Sequence, residues 1–319
     1  MSDFLGKTAL FGATGAIGGS LAAALRQRGA GYRVVGRSLA TLQKAFGGDP
    51  LIELATWNPD DAGSVRAAAR GVDTIIYLVG VPYTEFWRHP VLMRQTLEAA
   101  IAEGVKRILL VGTVYPYGRV QANPVREDQP RRPHTFKGRM RKEQEDLLLQ
   151  AHAEGRIQAA VLRLPDFYGP GVEMSFVAGV FQAAAGGGRA QMIGPLDQPH
   201  QFVYVPDVGP LALRLAVQPQ AWGKVWHFAG SGTITPRELS QRAFAMAGTR
   251  PRRMVAGRVM LRLSGLFNPF MREVAEMHYL WREPLLMDDS ALRQLLGEVQ
   301  RTPYEEGIRA SLEAARKAA

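Results

Sequence analysis

Three glycines spaced three residues apart, Gly12, Gly15 and Gly18, follow a short apolar run near the start of the chain. The run Thr8–Phe11 predicts a buried strand, and the apolar spacing of residues 17–28 predicts a helix. Glycines at this junction let the backbone turn sharply, approach a pyrophosphate closely and pack helix on strand. The first N–H groups of the helix would then donate to the phosphates. The pattern predicts a dinucleotide site, with a tight turn that binds no ligand as the alternative.

The second predicted strand, Tyr32–Gly36, ends in Arg37 and Ser38. A site that prefers NAD usually has Asp or Glu here, because a carboxylate accepts from both ribose hydroxyls. This chain offers a guanidinium and a hydroxyl, the pair expected around a 2′-phosphate. The sequence therefore favours NADP(H), while NAD(H) stays allowed. The alternative is that Arg37 is only a solvated surface arginine.

Composition excludes several kinds of site. The chain has 319 residues, enough for a large core and two lobes. It has no cysteine, and its six histidines show no ligand spacing, so we expect no metal site. Its net charge is +10, yet we find no nucleic-acid module, so we expect attraction for a phosphate-rich cofactor and no nucleic-acid partner.

The N-terminal segment and the length of the apolar runs give an expectation for the cellular location. The N-terminus is polar and shows no secretory segment, and no apolar run is long enough to span a bilayer. We therefore expect a soluble, cytoplasmic protein without a membrane span. Its expected partner is a small-molecule substrate, and a homodimer is compatible with the sequence.

Predicted strands and helices alternate through the first half of the chain. Beyond those above, strands are predicted at residues 51–55, 73–79, 107–111 and 159–164, and helices at residues 62–69, 90–103 and 137–154. This alternation implies right-handed crossovers and an α/β fold with a doubly wound parallel sheet of Rossmann type.

After residue 169 the alternation breaks up and helices come to dominate. Strand-like runs return at residues 201–205 and 224–228, and a capping box with proline at the first helical position starts a helix at Thr235. We predict a dinucleotide-binding domain and a smaller, mostly helical C-terminal substrate lobe, with the substrate between them. The predicted domain covers residues 1–169 with 201–231 returning to it, and the predicted lobe covers residues 170–200 and 232–319.

Several segments resemble the extended short-chain dehydrogenase/reductase superfamily, specifically its NAD-dependent epimerase/dehydratase group. They are residues 12–18, 73–80, 111–118, 162–171 and 202–208, and their order and spacing cover nearly the whole chain. The resemblance implies an oxidoreductase that binds a nicotinamide cofactor. Together with the strand-end residues above, the predicted cofactor contacts are Gly12, Thr14, Gly15, Ala16, Ile17, Gly18, Arg37, Ser38, Thr56, Trp57, Val79, Gly80, Arg139 and Pro165.

The family carries its chemistry on a Ser or Thr after the fifth strand and on a Tyr and a Lys four residues apart in the next helix. The resemblance places Thr113 at the first position. No tyrosine occurs in residues 133–143. Taking Glu143 as the helix glutamate of the family puts Thr135 at the Tyr position and Arg139 at the Lys position. Arg139 could then hold a ribose hydroxyl, although a guanidinium does not titrate.

A shift of one residue would put Phe136 and Met140 at those positions, which would be chemically empty. In either alignment the usual proton donor is missing, because an aliphatic hydroxyl cannot replace a phenol as a general acid.

Three phenols could replace the missing donor: Tyr115, Tyr117 and Tyr168. The family tyrosines that match the last two belong to fold motifs. Tyr115 follows Thr113 by two residues at the sheet edge where open α/β sheets bind ligands. Asp166, expected at the nicotinamide end, is a second candidate acid. The predicted catalytic residues are Thr113, Tyr115, Arg139 and Asp166.

Three functions fit these observations. The favoured one is an NADP(H)-dependent oxidoreductase that transfers hydride to a small carbonyl, quinone-like or conjugated apolar substrate. The alternatives are a nucleotide-sugar epimerase or dehydratase and a non-catalytic NADP(H)-binding sensor. Apolar residues that could line an apolar substrate, or form an ordinary amphipathic core helix, are Met254, Val259, Met260, Leu263, Leu266, Phe267, Phe270 and Met271.

Replacement of Arg37 tests the cofactor preference. We expect Arg37→Ala to weaken NADPH binding by more than about tenfold, because the 2′-phosphate would lose its guanidinium partner, and to leave NADH binding nearly unchanged. Fluorescence titration of the purified protein with each cofactor measures both affinities. An equal loss for NADPH and NADH would contradict a 2′-phosphate site at this residue.

Overall fold

A computed structural model describes residues 5–173 and 175–318 of the chain. Residues 1–4, 174 and 319 of the predicted domain ranges lie outside these limits. The strands are β1 (Thr8–Phe11), β2 (Tyr32–Gly36), β3 (Ile52–Thr56), β4 (Thr74–Tyr77), β5 (Arg107–Thr113), β6 (Gln158–Leu164), β7 (Asp166–Tyr168), β8 (Ala190–Ile193), β9 (His200–Tyr204), β10 (Val225–His227), β11 (Thr233–Ile234) and β12 (Arg253–Ala256).

The helices follow the predicted positions closely in the first half of the chain. They are α1 (Ala16–Gln27), α2 (Leu39–Phe46), α3 (Ala62–Ala69), α4 (Arg88–Ala102), α5 (Phe136–Ala153), α6 (Ala178–Gly186), α7 (Val205–Ala216), α8 (Pro236–Ala247), α9 (Arg258–Gly265), α10 (Pro269–Met277), α11 (Tyr279–Arg282), α12 (Ser290–Leu296) and α13 (Tyr304–Ala318).

The main sheet has seven strands in the order β10-β6-β5-β4-β1-β2-β3. Every neighbouring pair in it is parallel. Helices cover both faces, which is why strands such as β1 and β4 are buried along their whole length and read as continuous apolar runs. The predicted doubly wound Rossmann fold is confirmed.

Close packing of α1 and α7 covers one face of the sheet. Gly209 of α7 lies against Ser20 of α1, and a Cβ at Gly209 would overlap the Ser20 carbonyl. The Ser20 hydroxyl accepts from the Gly209 N–H at 2.9 Å and donates to the Pro206 carbonyl at 3.0 Å. A small residue and a bridging hydroxyl thus bring α1, which begins at the glycine turn, against the chain that returns from the C-terminal half.

A further core forms beside the main sheet from α6, α8, α13 and the short strands β7–β9–β11 and β8–β12. The helix predicted from its capping box begins as expected, since the Thr235 hydroxyl accepts from the Glu238 N–H at 3.1 Å. None of the helices in the two described stretches is long and apolar enough to cross a membrane. The predicted domain limits stay a prediction.

A buried ion pair joins α5 to the main sheet. The Arg163 guanidinium of β6 donates through Nε to Glu145 of α5 at 3.0 Å, and a second nitrogen also contacts this carboxylate. Arg131 adds a contact to Glu145 at 3.1 Å, and the Arg163 guanidinium lies 4.4 Å from the Tyr117 ring centre. By contrast, Glu143 is exposed. This pair sets which face of α5 lies against the sheet.

Removal of Glu145 should show how much an unpaired Arg163 guanidinium destabilises the fold. We expect Glu145→Ala to lower the free energy of unfolding by about 3–5 kcal/mol, because Arg163 would stay buried without its main carboxylate. Glu143→Ala, two residues away on the exposed face, should change it by less than about 0.5 kcal/mol. Urea unfolding followed by circular dichroism measures both. Similar losses in the two variants would show that the ion pair does not position α5.

Candidate active site

The glycine turn after β1 has the geometry of a close-approach loop. Gly12 has φ +86°, and a Cβ there would lie 2.8 Å from the backbone of Val79. A Cβ at Gly18 would overlap the carbonyl of Ala13, so this glycine lets α1 pack on the turn. Gly15 begins the helix and has open space where its Cβ would be. Gly12 and Gly18 thus serve the fold, and Gly15 leaves room for a ligand.

A cleft of about 540 Å³ runs along the carboxyl ends of β1, β2, β4, β5 and β6. Open α/β sheets bind their ligands at this edge. The predicted cofactor residues that line it are Gly12, Thr14, Gly15, Ala16, Ile17, Gly18, Arg37, Trp57, Val79, Gly80 and Pro165. The open helix start, the glycine turn and the cleft size fit a nicotinamide dinucleotide.

Three predicted cofactor contacts do not line the cleft. The Ser38 hydroxyl caps α2 by accepting from the Thr41 N–H at 3.3 Å. Thr56 is exposed at the end of β3. Arg139 is also exposed, and it donates to the carbonyl of His134 at 3.2 Å. Ser38 and Thr56 lie near strand ends and Arg139 lies on α5, but the three side chains are engaged elsewhere or face solvent.

Two phenols meet at the end of β5. Thr113 lines the cleft, and its hydroxyl accepts from the Tyr115 N–H at 3.4 Å. The Tyr115 hydroxyl lies 2.7 Å from that of Tyr83, which stands on the short turn Tyr83–Glu85 after β4. Burial raises the pKa of Tyr83 to about 12 and that of Tyr115 well above its usual value. Both phenols are therefore protonated at neutral pH.

Asp166 lies next to this pair. It follows the cleft residue Pro165, and its carboxylate accepts from the Phe167 N–H at 2.9 Å. Burial raises the pKa of Asp166 to about 7, and a negative charge there raises the pKa of both Tyr83 and Tyr115. Asp166 and Tyr115 do not themselves line the cleft, but each is within two residues of one that does.

The other two candidate phenols are structural. Tyr117 lies 2.6 Å from a ring nitrogen of His227 and donates to the Arg126 carbonyl at 3.2 Å. Tyr168 is buried in the core beside the main sheet, stacked near Phe181 and Tyr304. Within the described residues, no group of three or more histidine, aspartate and glutamate side chains could hold a metal ion.

The start of α5 decides which residues replace the family's Tyr and Lys. Thr135 is the N-cap, and its hydroxyl accepts from the Gly138 N–H at 3.1 Å. Because Glu145 rather than Glu143 is the buried glutamate, alignment on the buried one moves both positions by two residues. They then fall on Lys137 and Arg141, not on Thr135 and Arg139.

Lys137 is fully buried and ion-paired. Its ammonium contacts Glu273 of α10 and lies 2.5 Å from Glu276 of the same helix. It also lies 5.5 Å from the ring centre of Tyr83 and 5.8 Å from that of Phe86. The side chain at this position is therefore an ammonium engaged by two carboxylates and not a phenol. It instead ties the C-terminal part of the chain to α5.

Arg141 lines the cleft one helical turn further along α5. One of its terminal nitrogens donates to Gln144 at 2.9 Å, and burial lowers its pKa. Its buried Nε has no hydrogen-bond partner among residues 5–173 and 175–318. A buried guanidinium with a free donor, facing a cleft, is suited to hold a hydroxyl or an anionic group of a ligand.

Sequence reasoning missed Tyr83, Lys137 and Arg141. Helical spacing identifies the last two of these residues only once the buried face of α5 is known from the structure. Leu148 and Ala151 are buried in the sheet core, and positions 145, 141 and 137 precede Leu148 at helical spacing on the same face. No comparable local signal marks Tyr83, because it reaches Tyr115 only through the crossover from β4 to β5.

The apolar residues expected to line a substrate lie mostly at the surface. None of the eight lines the cleft. The Phe270 ring centre lies 6.1 Å from that of Tyr83, at the far side of the paired phenols. Val259, Leu266 and Phe267 are largely exposed. These residues form neither a ligand wall nor a core helix.

Comparison with known proteins gives the family. A model of the NAD dependent epimerase/dehydratase family matches residues 9–228. The chain belongs to this family. The resemblance predicted from its motifs is thereby confirmed.

Individual proteins similar to the chain share only low sequence identity with it. The dTDP-6-deoxy-L-talose 4-dehydrogenase (NAD(P)(+)) of Kitasatospora kifunensis is 27% identical over 228 residues, or 67% of this chain and 71% of that protein. Among solved structures, UDP-glucuronic acid 4-epimerase from Bacillus cereus in complex with NAD has a TM-score of 0.80 at 15% identity, covering 98% of this chain and 99% of that one. DesIV, a dTDP-glucose 4,6-dehydratase from Streptomyces venezuelae with NAD and TYD bound, has a TM-score of 0.81 at 16% identity, covering 98% and 97%. These structures share the fold.

The glycines of the turn should separate folding from cofactor binding. Gly15→Ala adds a methyl group to open cleft space, so we expect unchanged thermal stability but cofactor binding weakened by about tenfold or more. Gly19→Ala, also in open space one turn into α1, should bind cofactor normally and gain about 1 kcal/mol of helix stability. Calorimetric melting and NAD(P)H fluorescence titration measure the two effects. Normal cofactor affinity in Gly15→Ala would place the pyrophosphate elsewhere.

Proposed function

We propose that this chain is an NAD(P)(H)-dependent oxidoreductase that interconverts a hydroxyl and a carbonyl group on a sugar-like substrate. The observation that carries the proposal is the hydrogen-bonded pair Tyr83 and Tyr115 at the carboxyl end of β5, beside the glycine-turn cleft. The pair supplies the phenol that the usual helix position lacks. The fold alone would not justify an activity, so the proposal depends on these side chains.

The proton chemistry follows from the state of these phenols. A bound nicotinamide supplies or accepts the hydride. In the reductive direction Tyr115 holds a proton at its hydroxyl and donates it to the carbonyl oxygen. Tyr83 stabilises the phenolate that is left by donating to it across 2.7 Å. Arg141 adds positive charge on the same side, and its free Nε can orient the substrate or the cofactor ribose.

The cofactor preference stays part of the proposal. Arg37 lines the cleft where a 2′-phosphate would be expected, which supports NADP(H). The Ser38 hydroxyl is engaged as a helix cap, so Ser38 gives little support to a 2′-phosphate site. The relative from Kitasatospora is named for both cofactors, and the structural neighbours contain NAD. We therefore propose NADP(H) as the preferred cofactor and NAD(H) as a usable one.

The substrate is better argued from the comparisons than from hydropathy. The relatives act on nucleotide sugars by their names, and none of them supports the quinone-like acceptor that the sequence favours. The Phe176 ring centre lies 6.4 Å from that of Tyr83, and this ring could stack on the flat face of a sugar or base. We propose a sugar-like hydroxyl compound carried on a nucleotide.

A nucleotide-sugar epimerase or dehydratase is the second candidate, because the matching family model carries that name. Such an enzyme would return the hydride to its substrate, so no cofactor would be consumed. Lys137 counts against it, since the helix position that would act as base is a cation paired with Glu273 and Glu276.

A substrate panel separates these functions. The purified chain is given UDP- and dTDP-linked sugars or their keto forms with NAD(P)(H), and both cofactor absorbance and sugar products are followed. Net cofactor turnover on a sugar, lost by more than about 100-fold in Tyr115→Phe, is the expected result. Sugar isomers or dehydrated products without net turnover would favour the second candidate. Turnover only with quinones or conjugated carbonyls would contradict the sugar proposal, and binding without any product would favour a sensor.

The pH dependence of reduction tests the role of Asp166. Below pH about 7 its carboxyl is protonated and neutral; above this value it is charged, which raises the pKa of Tyr115 and makes that phenol a weaker proton donor. We expect kcat for reduction to fall about two- to tenfold as pH rises through this range, and to stay level in Asp166→Asn. Glu173→Gln, at the cleft rim, should keep the inflection. The same inflection in Asp166→Asn would exclude Asp166 as its cause.

A further inference from the structure

Exposed apolar side chains are concentrated in one short stretch. Of the thirteen large apolar side chains that are exposed in the described part of the chain, eight lie in residues 254–270. Phe267 is 91% exposed, Leu266 75% and Val259 71%. We refer to residues 258–270, which comprise α9, the turn and the first residues of α10, as the α9–α10 tip. A contiguous exposed apolar patch usually marks an interaction surface.

The tip is an amphipathic hairpin with its apolar side turned outward. Leu261 and Gly265, four residues apart, are the buried positions of α9. A Cβ at Gly265 would lie 3.0 Å from the Cα of Arg272, so this glycine lets α9 pack directly on α10. The exposed Val259, Leu263, Leu266 and Phe267 follow one another at helical spacing away from that contact. The hairpin is therefore held by its inner side and leaves an apolar stripe uncovered.

Positive charge surrounds the stripe. Residues 250–282 contain seven arginines and two glutamates. The two glutamates are Glu273 and Glu276; both contact buried Lys137, and Glu273 also lies 3.6 Å from Arg272. Arg258 and Arg262 are exposed on α9 and have no ion-pair partner among residues 5–173 and 175–318. The surface around the apolar side chains is thus strongly cationic.

We propose that the α9–α10 tip docks on an anionic lipid bilayer, with its apolar side chains in the interfacial layer and its arginines on the lipid phosphates. An apolar stripe flanked by arginine is the pattern of helices that lie in a membrane interface without crossing it. A second copy of the chain is a poorer occupant, because two such faces would bring their arginines together. The inference is independent of the proposed reaction.

Docking at the tip would place the candidate active site close to the lipid surface. Phe270 ends the tip and packs near Tyr83, and Glu273 follows it by three residues to hold Lys137. The same helix therefore carries Phe270 of the tip at its start and the carboxylates that hold Lys137 further along.

Vesicle co-sedimentation of the full chain tests the proposal. We expect the chain to pellet with phosphatidylcholine vesicles that contain phosphatidylglycerol. Its affinity for vesicles of phosphatidylcholine alone should be weaker by about tenfold or more. The double variants Leu266→Ser with Phe267→Ser, and Arg258→Glu with Arg262→Glu, should each weaken binding by more than about tenfold. Leu39→Ser and Arg94→Glu, at exposed positions on α2 and α4, are the matched controls and should bind as the parent does.

A second readout locates the tip in the lipid. In Phe267→Trp, phosphatidylglycerol vesicles with brominated acyl chains should quench the fluorescence of the new tryptophan. The loss of fluorescence should exceed that of the parent protein, which has only the native tryptophans. Absence of vesicle binding, equal binding to both vesicle types, or binding unaffected by the tip variants would overturn the proposal. A dimer in sedimentation velocity that dissociates in the Leu266→Ser with Phe267→Ser variant would also overturn it, because the stripe would then be an interface between copies. Unchanged melting temperatures of the variants confirm that they are folded.

Discussion

The buried ammonium of Lys137 constrains the rest of the site. A charge with no access to water is tolerated only when counter-charges and hydrogen bonds surround it. Glu273 and Glu276 supply them from α10, so this helix has to lie against the start of α5. That contact closes one wall of the region around Tyr83 and Phe86, whose rings lie beside the ammonium. The ion pair is therefore both a structural tie and the boundary of the candidate active site.

The same constraint explains how a family fold is kept while its usual proton donor is absent. Lys137 stands at the helix position where the family has its tyrosine, once α5 is aligned on the buried Glu145. The helix itself is undisturbed, since the Arg163–Glu145 pair still joins it to β6. Phenolic chemistry is available instead from Tyr115 and Tyr83, which come from two different crossovers and meet at one hydrogen bond. In the proposed reaction the proton therefore comes from a different residue than in the family, while the frame of the fold is kept.

The ion pairs of Lys137 also affect the charge of the outer surface. Both glutamates of residues 250–282 are turned inward to Lys137, so the outer side of the hairpin is left with arginine and apolar side chains. The two features belong to one helix and have one physical cause. A buried cation that takes the local carboxylates leaves its surroundings basic.

Local sequence patterns were sufficient for the frame of the molecule. The glycine turn, the apolar strands and the capping box of α8 predict their elements because each depends on neighbouring residues, and the alternation of those elements predicts the parallel sheet. Most predicted cofactor residues line the cleft for the same reason, since they sit at strand ends.

What the sequence alone could not decide was the orientation of α5 and the partners of its side chains. Glu143 and Glu145 look equivalent in sequence, and only packing against Arg163 buries one of them. The Tyr83–Tyr115 pair and the Lys137–Glu276 pair join residues 32 and 139 positions apart. The apolar residues of the hairpin likewise have a pattern that suits a core or a surface. Such contacts depend on how separate elements pack, and that information exists only in the tertiary structure.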